Sequence, residues 1–428
     1  MAAVPVAQKS GGFTSMKPKI ITTLETYSWS LFTSDCLAGA TVAMVAVPLS
    51  LAIAIASGAE PAQGLVTAII GGFFISLLGG SRVQIGGPTG AFIVVVYGVI
   101  ADHGYDGLLI ATFMAGIILL IAGFLRIGNL IAYIPEAVIN GFTIGIAIII
   151  AKSQLSDFLG LEGQVDWAEF GTAAQSINLA AVAIGLGTGL SIVLLRKAFP
   201  KFPGLIVAVA VSSAVVAALG LQVDTIVSRF GELPNHLPLP SLPVFTLDRV
   251  IELLPSALVI AFLAGVESLL SAMVADRSIG GSHRPNAEVI AQGTANIAST
   301  LFGGLPATGA IARTATNIRA GGKTPVAGIV HALVILAVMM LAAPLAGYLA
   351  MPAMAALLIL TAWNMSEPHR WRGYMSEPIA DRLLLVVTLV LTVMVDLTVA
   401  IGVGVALGLA IRLRRRKVQP ADWHTPDR

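Results

Sequence analysis

The sequence predicts an all-α polytopic membrane protein of about fourteen transmembrane segments, arranged as two inverted seven-span repeats. Three observations predict it. Hydrophobic residues make up 56% of the 428 positions and charged residues only 11%, with a mean hydropathy of +0.89. A soluble domain carries roughly 25% charged residues, so lipid must cover much of this surface. Apolar runs of membrane-crossing length recur along the whole chain, and a Gly/Pro motif occurs once in each half at matched positions.

A hydrocarbon core needs about 20 apolar residues of helix. Runs close to that length are Leu37–Ser57, Ala62–Leu78, Leu108–Leu125, Ile177–Leu195, Pro203–Gly220, Leu254–Ala275 and Pro325–Leu349, followed by Leu383–Val395 and Leu397–Ile411. Shorter runs start beside Gly or Pro at Thr89–Ala101, Pro135–Ala151, Asn286–Phe302, Thr308–Ile318 and Pro352–Trp363. Short interrupted segments at corresponding positions of two halves point to a transporter's binding site. The 44 glycines fit the same class, because Gly lets membrane helices approach closely.

Charge sets the orientation. With the N-terminus in the cytoplasm, the inner face receives Arg82, Arg126, Arg196, Lys197, Lys201, Arg277, Arg319, Arg370 and the basic run Arg412–Lys417. The outer face receives Lys152, Arg229 and Arg249, together with the acidic loop of Asp157, Glu162, Asp166 and Glu169. This is the positive-inside pattern, and it requires an even number of spans with both ends inside. The expected organisation is a cytoplasmic segment 1–36, a first repeat 37–220, a Pro-rich external linker 221–252, an inverted second repeat 253–412 and a basic tail 413–428.

Several function classes are excluded. The formal net charge is +2 and the basic residues form no stripe, so nucleic acid is not a partner. Cys36 is the single cysteine, and the histidines have no metal-ligand spacing, so no metal or cofactor is expected. No apolar run with a cleavage site follows Lys9, Lys17 and Lys19, so insertion is expected to begin at the first span. No nucleophile elbow or phosphate loop is present.

The chemistry therefore rests on a few residues. Gly86-Gly87-Pro88-Thr89-Gly90-Ala91 is echoed by Gly303-Gly304-Leu305-Pro306-Ala307-Thr308-Gly309-Ala310. Each opens a short apolar helix, with Thr89 and Thr308 at the N-cap places. A helix starting in mid-membrane has unpaired N–H groups and roughly +0.5 of an elementary charge at its N-terminus. Two such ends brought together make an anion site. The plainer alternative is that Gly-Pro kinks two ordinary spans. Arg313, inside Thr308–Ile318, adds a full charge nearby; it is otherwise a structural partner or snorkels to the cytoplasmic face. Glu267 stands mid-span within Leu254–Ala275 and is the candidate proton-coupling residue, or else a static partner of Arg313. No other carboxylate is expected at a span centre. Glu136 reads as a first-turn acid opposing a helix dipole.

These residues resemble the SulP (sulfate permease) family, which includes the mammalian motor protein prestin. The resemblance is carried by Gly265-Val266-Glu267-Ser268-Leu269-Leu270-Ser271-Ala272, by Asn286-Ala287-Glu288 running into Ala291-Gln292-Gly293, and most densely by Phe302 to Thr314 with Gly321-Gly322-Lys323-Thr324-Pro325. Asp35, Leu37-Ala38-Gly39, Pro48 and Gly87-Pro88-Thr89 fit the same pattern in the first half. It implies a core and a gate domain, with a small anion held between two half-helices. By that resemblance Thr89, Gly90, Thr308, Gly309, Ala310 and Ala312 face the anion, Leu49 and Ile53 line it, Arg313 supplies charge and Glu267 couples to a cation. The family pattern ends in a STAS domain, which is not expected here. The first span, Pro48-Leu49-Ser50-Leu51-Ala52-Ile53, lacks the polar residues of many sulfate carriers. The expectation is thus a proton-coupled (alternatively sodium-coupled) symporter of a dicarboxylate such as fumarate, in a bacterial inner membrane, with a homodimer as a further expectation. The alternatives are a bicarbonate or sulfate carrier, an anion exchanger or uncoupled channel, and a nucleobase or ascorbate permease.

Overall fold

The structure is a computed structural model that describes residues 16–129, 135–161, 174–199, 203–395 and 397–414. Glu162, Asp166, Glu169, Lys201, Lys9 and the tail residues Arg415, Arg416 and Lys417 lie outside the described residues. A short helix α1 (Lys19–Leu24) precedes α2 (Trp29–Ala56), α3 (Pro61–Leu78), strand β1 (Gly86–Gly87), α4 (Gly90–Phe124), α5 (Glu136–Leu159), α6 (Leu179–Ala198) and α7 (Gly204–Leu219). A small helix α8 (Ile226–Phe230) then leads to α9 (Leu247–Ile279), α10 (Pro285–Leu301), strand β2 (Thr308–Gly309), α11 (Ile311–Arg319), α12 (Val326–Gly347), α13 (Met351–Met365), α14 (Ile379–Met394) and α15 (Leu397–Arg414).

Among the described residues seven helices are long and apolar enough to cross a membrane unaided. Helix α4 is two segments joined at Gly104, whose φ of 72° breaks the helix. Counting it so, each half supplies seven segments, as expected. Two starts differ from the hydropathy reading. Helix α2 begins at Trp29 rather than Leu37, because the Ser28 hydroxyl accepts the Leu31 N–H and caps a polar first turn. Helix α9 likewise begins at Leu247, capped by Thr246, with Asp248, Arg249 and Glu252 in its opening turns.

The packing repeats itself between halves. Helix α2 lies on α12 as α9 lies on α4, and α3 lies on α12 as α10 lies on α4. These elements form the core domain. In the gate domain α14 packs on α5 as α6 packs on α13. Strands β1 and β2 pair antiparallel, Gly86 with Gly309 and Gly87 with Thr308, so the two repeats run inverted where they meet.

The α4–α10 contact shows how close the core is drawn. A Cβ on Gly293 would stand 2.7 Å from the Gly116 carbonyl oxygen, and one on Gly116 would stand 2.8 Å from the Gly293 oxygen. Two backbones in contact leave no room for a side chain on either helix, which is the use membrane proteins make of small residues. Gly293→Val is expected to cost about 1–3 kcal/mol by overpacking. A thermal unfolding midpoint unchanged from wild type would contradict this contact.

Candidate functional site

Both short helices grow out of the β1–β2 ladder. The Ala310 N–H donates to the Ile85 carbonyl at 2.8 Å, which continues the pairing up to the first turn of α11. Thr89 is extended (φ −126°, ψ 156°) before the tight turn Gly90–Phe92 that starts α4, and Ala310 is extended (φ −95°, ψ 110°) before α11. Neither helix start receives a side-chain cap. Thr89 and Thr308 therefore do not cap as their positions led us to expect. The Thr89 hydroxyl donates instead to Glu267 Oε2 at 2.7 Å. Thr308 is held in β2, two residues before the N-cap position of α11, and donates to the Ala264 carbonyl at 2.9 Å. Two helix ends are thus left with orphan N–H donors, each end carrying roughly +0.5 of an elementary charge.

A cavity of about 390 Å³ lies against both ends. Of the residues singled out in the sequence, Leu49, Ile53, Thr89, Gly90, Glu267, Ala310, Ala312 and Arg313 line it. Thr308 and Gly309 do not. Gly309 is turned toward Gln84: a Cβ there would fall 1.5 Å from Gln84 Nε2. Gln84 in turn donates to the Ser268 carbonyl at 3.2 Å and to Ser268 Oγ at 2.9 Å, so any side chain at 309 displaces that bond set.

Arg313 is 1% exposed. Its Nη2 donates to Ser50 Oγ and to the Pro88 carbonyl, each at 3.0 Å, so a second-repeat cation reaches the loop that starts the first-repeat half-helix. Its Nε and Nη1 have no hydrogen-bond partner, and no carboxylate lies within ion-pair distance among the described residues. Arg313 and Glu267 are therefore not a static pair in this conformation. Glu136, as read, is the first-turn acid of α5, and it binds Arg370 at 2.6 Å.

The opposite wall belongs to the gate. Val138, Ile139 and Phe142 from α5 and Leu357 and Leu360 from α13 make it apolar, with Thr143, Thr361 and Asn364 as polar exceptions. No gate residue was singled out from the sequence, although 357, 360, 361 and 364 follow the spacing of one helix face. Charge at the cavity is net positive: Arg196, Arg313 and Arg319 stand against Glu267.

A fully buried carboxylate, Glu288, is not among the residues singled out in the sequence. Glu288, with no exposed surface, accepts the N–H groups of Gly80 (2.8 Å) and Ser81 (3.2 Å) on Oε2, and Ser268 Oγ (2.8 Å) and Gln292 Nε2 (2.9 Å) on Oε1. It ties the end of α3 to α9 and α10 and is away from the cavity. The signal was its place in the Asn286-Ala287-Glu288 motif; its position in the first turn of α10 disguised it as an ordinary dipole partner. Glu288→Ala orphans four buried donors and is expected to cost about 3 kcal/mol or more. Arg313→Gln leaves no carboxylate unpaired and is expected to stay within about 1 kcal/mol of wild type. Denaturation of both variants in parallel checks the contrast, and equal losses would show that Arg313 is a structural strut.

The sulfate permease family model matches residues 32–388. The Bacillus subtilis protein YvdB, whose name assigns it to sulfate transport, is 44% identical over 375 residues, covering 85% of this chain and 70% of that one. The bicarbonate transporter BicA of Synechocystis is 33% identical over 335 residues, covering 75% of this chain and 59% of its own length. The solved transmembrane domain of a cyanobacterial BicA superposes with a TM-score of 0.79 at 32% identity, covering 87% of this chain and 98% of that domain. The murine anion transporter Slc26a9 shares the fold, with a TM-score of 0.85 at 18% identity over 97% of this chain and 74% of that one. The chain is a multi-pass membrane transporter, not an enzyme, and it belongs to the sulfate permease family.

Proposed function

We propose that the protein carries small anions across a bacterial inner membrane by alternating access, as a proton-coupled symporter of a dicarboxylate such as fumarate. The observation that carries this reading is the pair of uncapped half-helix ends opening on one cavity beside Arg313. Orphan N–H groups lining a cavity offer donors to an acceptor, and two positive helix ends with a cation favour an anionic one. Backbone donors at Gly90, Ala91, Ile311 and Ala312 hold the carboxylate, and the apolar gate wall accepts a hydrocarbon body.

Glu267 gives the coupling. Its carboxylate is one hydrogen bond from Thr89, the residue at which the first half-helix begins. An ionised Glu267 repels an anion in the cavity. At a separation of about 6 Å and an effective dielectric of about 20, two unit charges repel by about 3 kcal/mol, a factor of about 100 in affinity. Protonation removes that repulsion, so proton and anion bind with positive cooperativity, and by linkage the anion tightens proton binding by the same factor. The two cargoes then load and leave together.

The cavity lining continues to Arg196, Pro203, Gly204, Arg319 and Ala320 at the ends of α6, α7 and α11, which the charge pattern assigns to the cytoplasm. We read this conformation as open to the inside. A bicarbonate carrier is the second reading, favoured by the similarity to BicA over sequence and structure alike.

Uptake into proteoliposomes tests the proposal. With acid outside, wild type is expected to concentrate fumarate above equilibrium, while Glu267→Gln binds it and catalyses exchange without concentrating it. Wild-type uptake that only equilibrates under the pH gradient would sink the coupling. Running bicarbonate and sulfate beside fumarate decides the substrate.

A further inference from the structure

We propose that Ser50 is the positioning residue for Arg313: its hydroxyl, with the Pro88 carbonyl, aims the guanidinium at the anion site. This rests on the reading of the cavity as an anion site. Ser50 follows Leu49, which lines the cavity, but its own side chain is buried on the other side of α2, where it accepts from Arg313 Nη2 at 3.0 Å. The same Nη2 donates to Pro88 O at 3.0 Å, so both of its hydrogens are used.

The other corner of the guanidinium makes no hydrogen bond. Nη1 lies 2.2 Å from the place a Cβ on Gly87 would take, so the group rests on bare backbone there. Nη1 and Nε have no partner of their own. One corner is pinned, and the buried Nε and Nη1 keep the rest of the charge uncommitted behind the loop that starts the first half-helix. The pin matters because an arginine side chain has many rotamers, and a site that must hold a charge in one place gains by fixing them. It has a second effect. Pro88 O precedes Thr89, and an unengaged carbonyl there would turn negative partial charge toward the anion; Arg313 occupies it.

Packing alone offers another reason for a small residue at 50. The Ser50 carbonyl lies 2.0 Å from where a Cβ on Gly64 would stand, so α2 and α3 are in tight contact at this point. That contact is backbone, and alanine satisfies it as well as serine. Ser50→Ala therefore removes the oxygen while keeping the packing. Threonine keeps the oxygen but adds a methyl group, so it serves only as a rescue arm.

The test is a double-mutant cycle on anion affinity, with the full chain in nanodiscs and calorimetric titration of fumarate, sulfate and bicarbonate. The tightest binder of the three serves as probe. Ser50→Ala is expected to raise Kd roughly tenfold, the size of one hydrogen bond to a charged group, with the unfolding midpoint unchanged. In an Arg313→Gln background the same substitution should change nothing further, because Ser50 acts through Arg313. Ser50→Thr restores affinity wherever it folds. Wild-type affinity in Ser50→Ala, or additive losses in the double variant, overturns the positioning role while leaving the anion site intact. Unchanged affinity in Arg313→Gln, or no binding of any of the three anions by wild type, overturns the anion-site reading and takes Ser50 with it.

Discussion

Backbone N–H groups at mid-membrane depth find no partner in lipid, so they must be paired within the protein or line a cavity. The half-helices starting at Gly90 and Ile311 present several of them, uncapped, to one cavity. Much of the surrounding structure serves that placement. The Gly86–Gly309 and Gly87–Thr308 pairing holds the two starts in register. Gln84 bonds Ser268 behind that ladder, and Glu288 ties Ser268 to α10 and to the end of α3. The result is a rigid platform for two helix dipoles, built from side chains that never reach the cavity.

On the function proposed above, charge is distributed over the platform in a way that separates holding from switching. Arg313 is tied to Ser50 and Pro88, both in the first repeat, and so moves with the core as a fixed element of the field. Glu267 is tied by Thr89 to the start of the first half-helix and lines the same cavity. A direct pair between them would cancel the positive field that attracts an anion and remove the titration. Keeping them apart preserves both. The gate contributes a largely apolar wall with Arg196 at its cytoplasmic edge, while Arg313, Glu267 and the two half-helix ends belong to the core.

Much of the fold was legible in the sequence because hydropathy, loop charge and the two Gly/Pro motifs are strong local signals. The segments came out in the right order; Glu267 and Arg313 stood out as charged residues inside apolar runs, and Thr89 by its place in the Gly/Pro motif. What was missed follows from geometry that composition does not encode. A two-residue ladder has no periodicity, so Thr308 read as a cap when pairing makes it part of a strand. Ser50 read as a member of an apolar run, since its partner lies 263 positions away. Glu288 was quoted only within its motif, since a carboxylate in a first turn is ordinary, and Gln84, in a loop, offered no pattern at all. The early start of α2 at Trp29 was hidden by Ser30, Thr33, Ser34 and Asp35, polar residues that lower hydropathy without ending a helix. Asp35 is buried there for a reason visible only in three dimensions: it accepts from the Lys323 and Thr324 N–H groups at the far end of the chain.

The central claim is that one carboxylate, Glu267, repels the anion until it is protonated, so that the two ligands bind together. Proton uptake on anion binding tests this most directly. Titrating the anion calorimetrically in buffers of different ionisation enthalpy gives the number of protons taken up per anion bound. The account predicts a pH window in which wild type takes up a proton with the anion, approaching one, and in which Glu267→Gln takes up none. Tight binding by wild type with no proton exchanged at any pH at which the protein stays folded would contradict it.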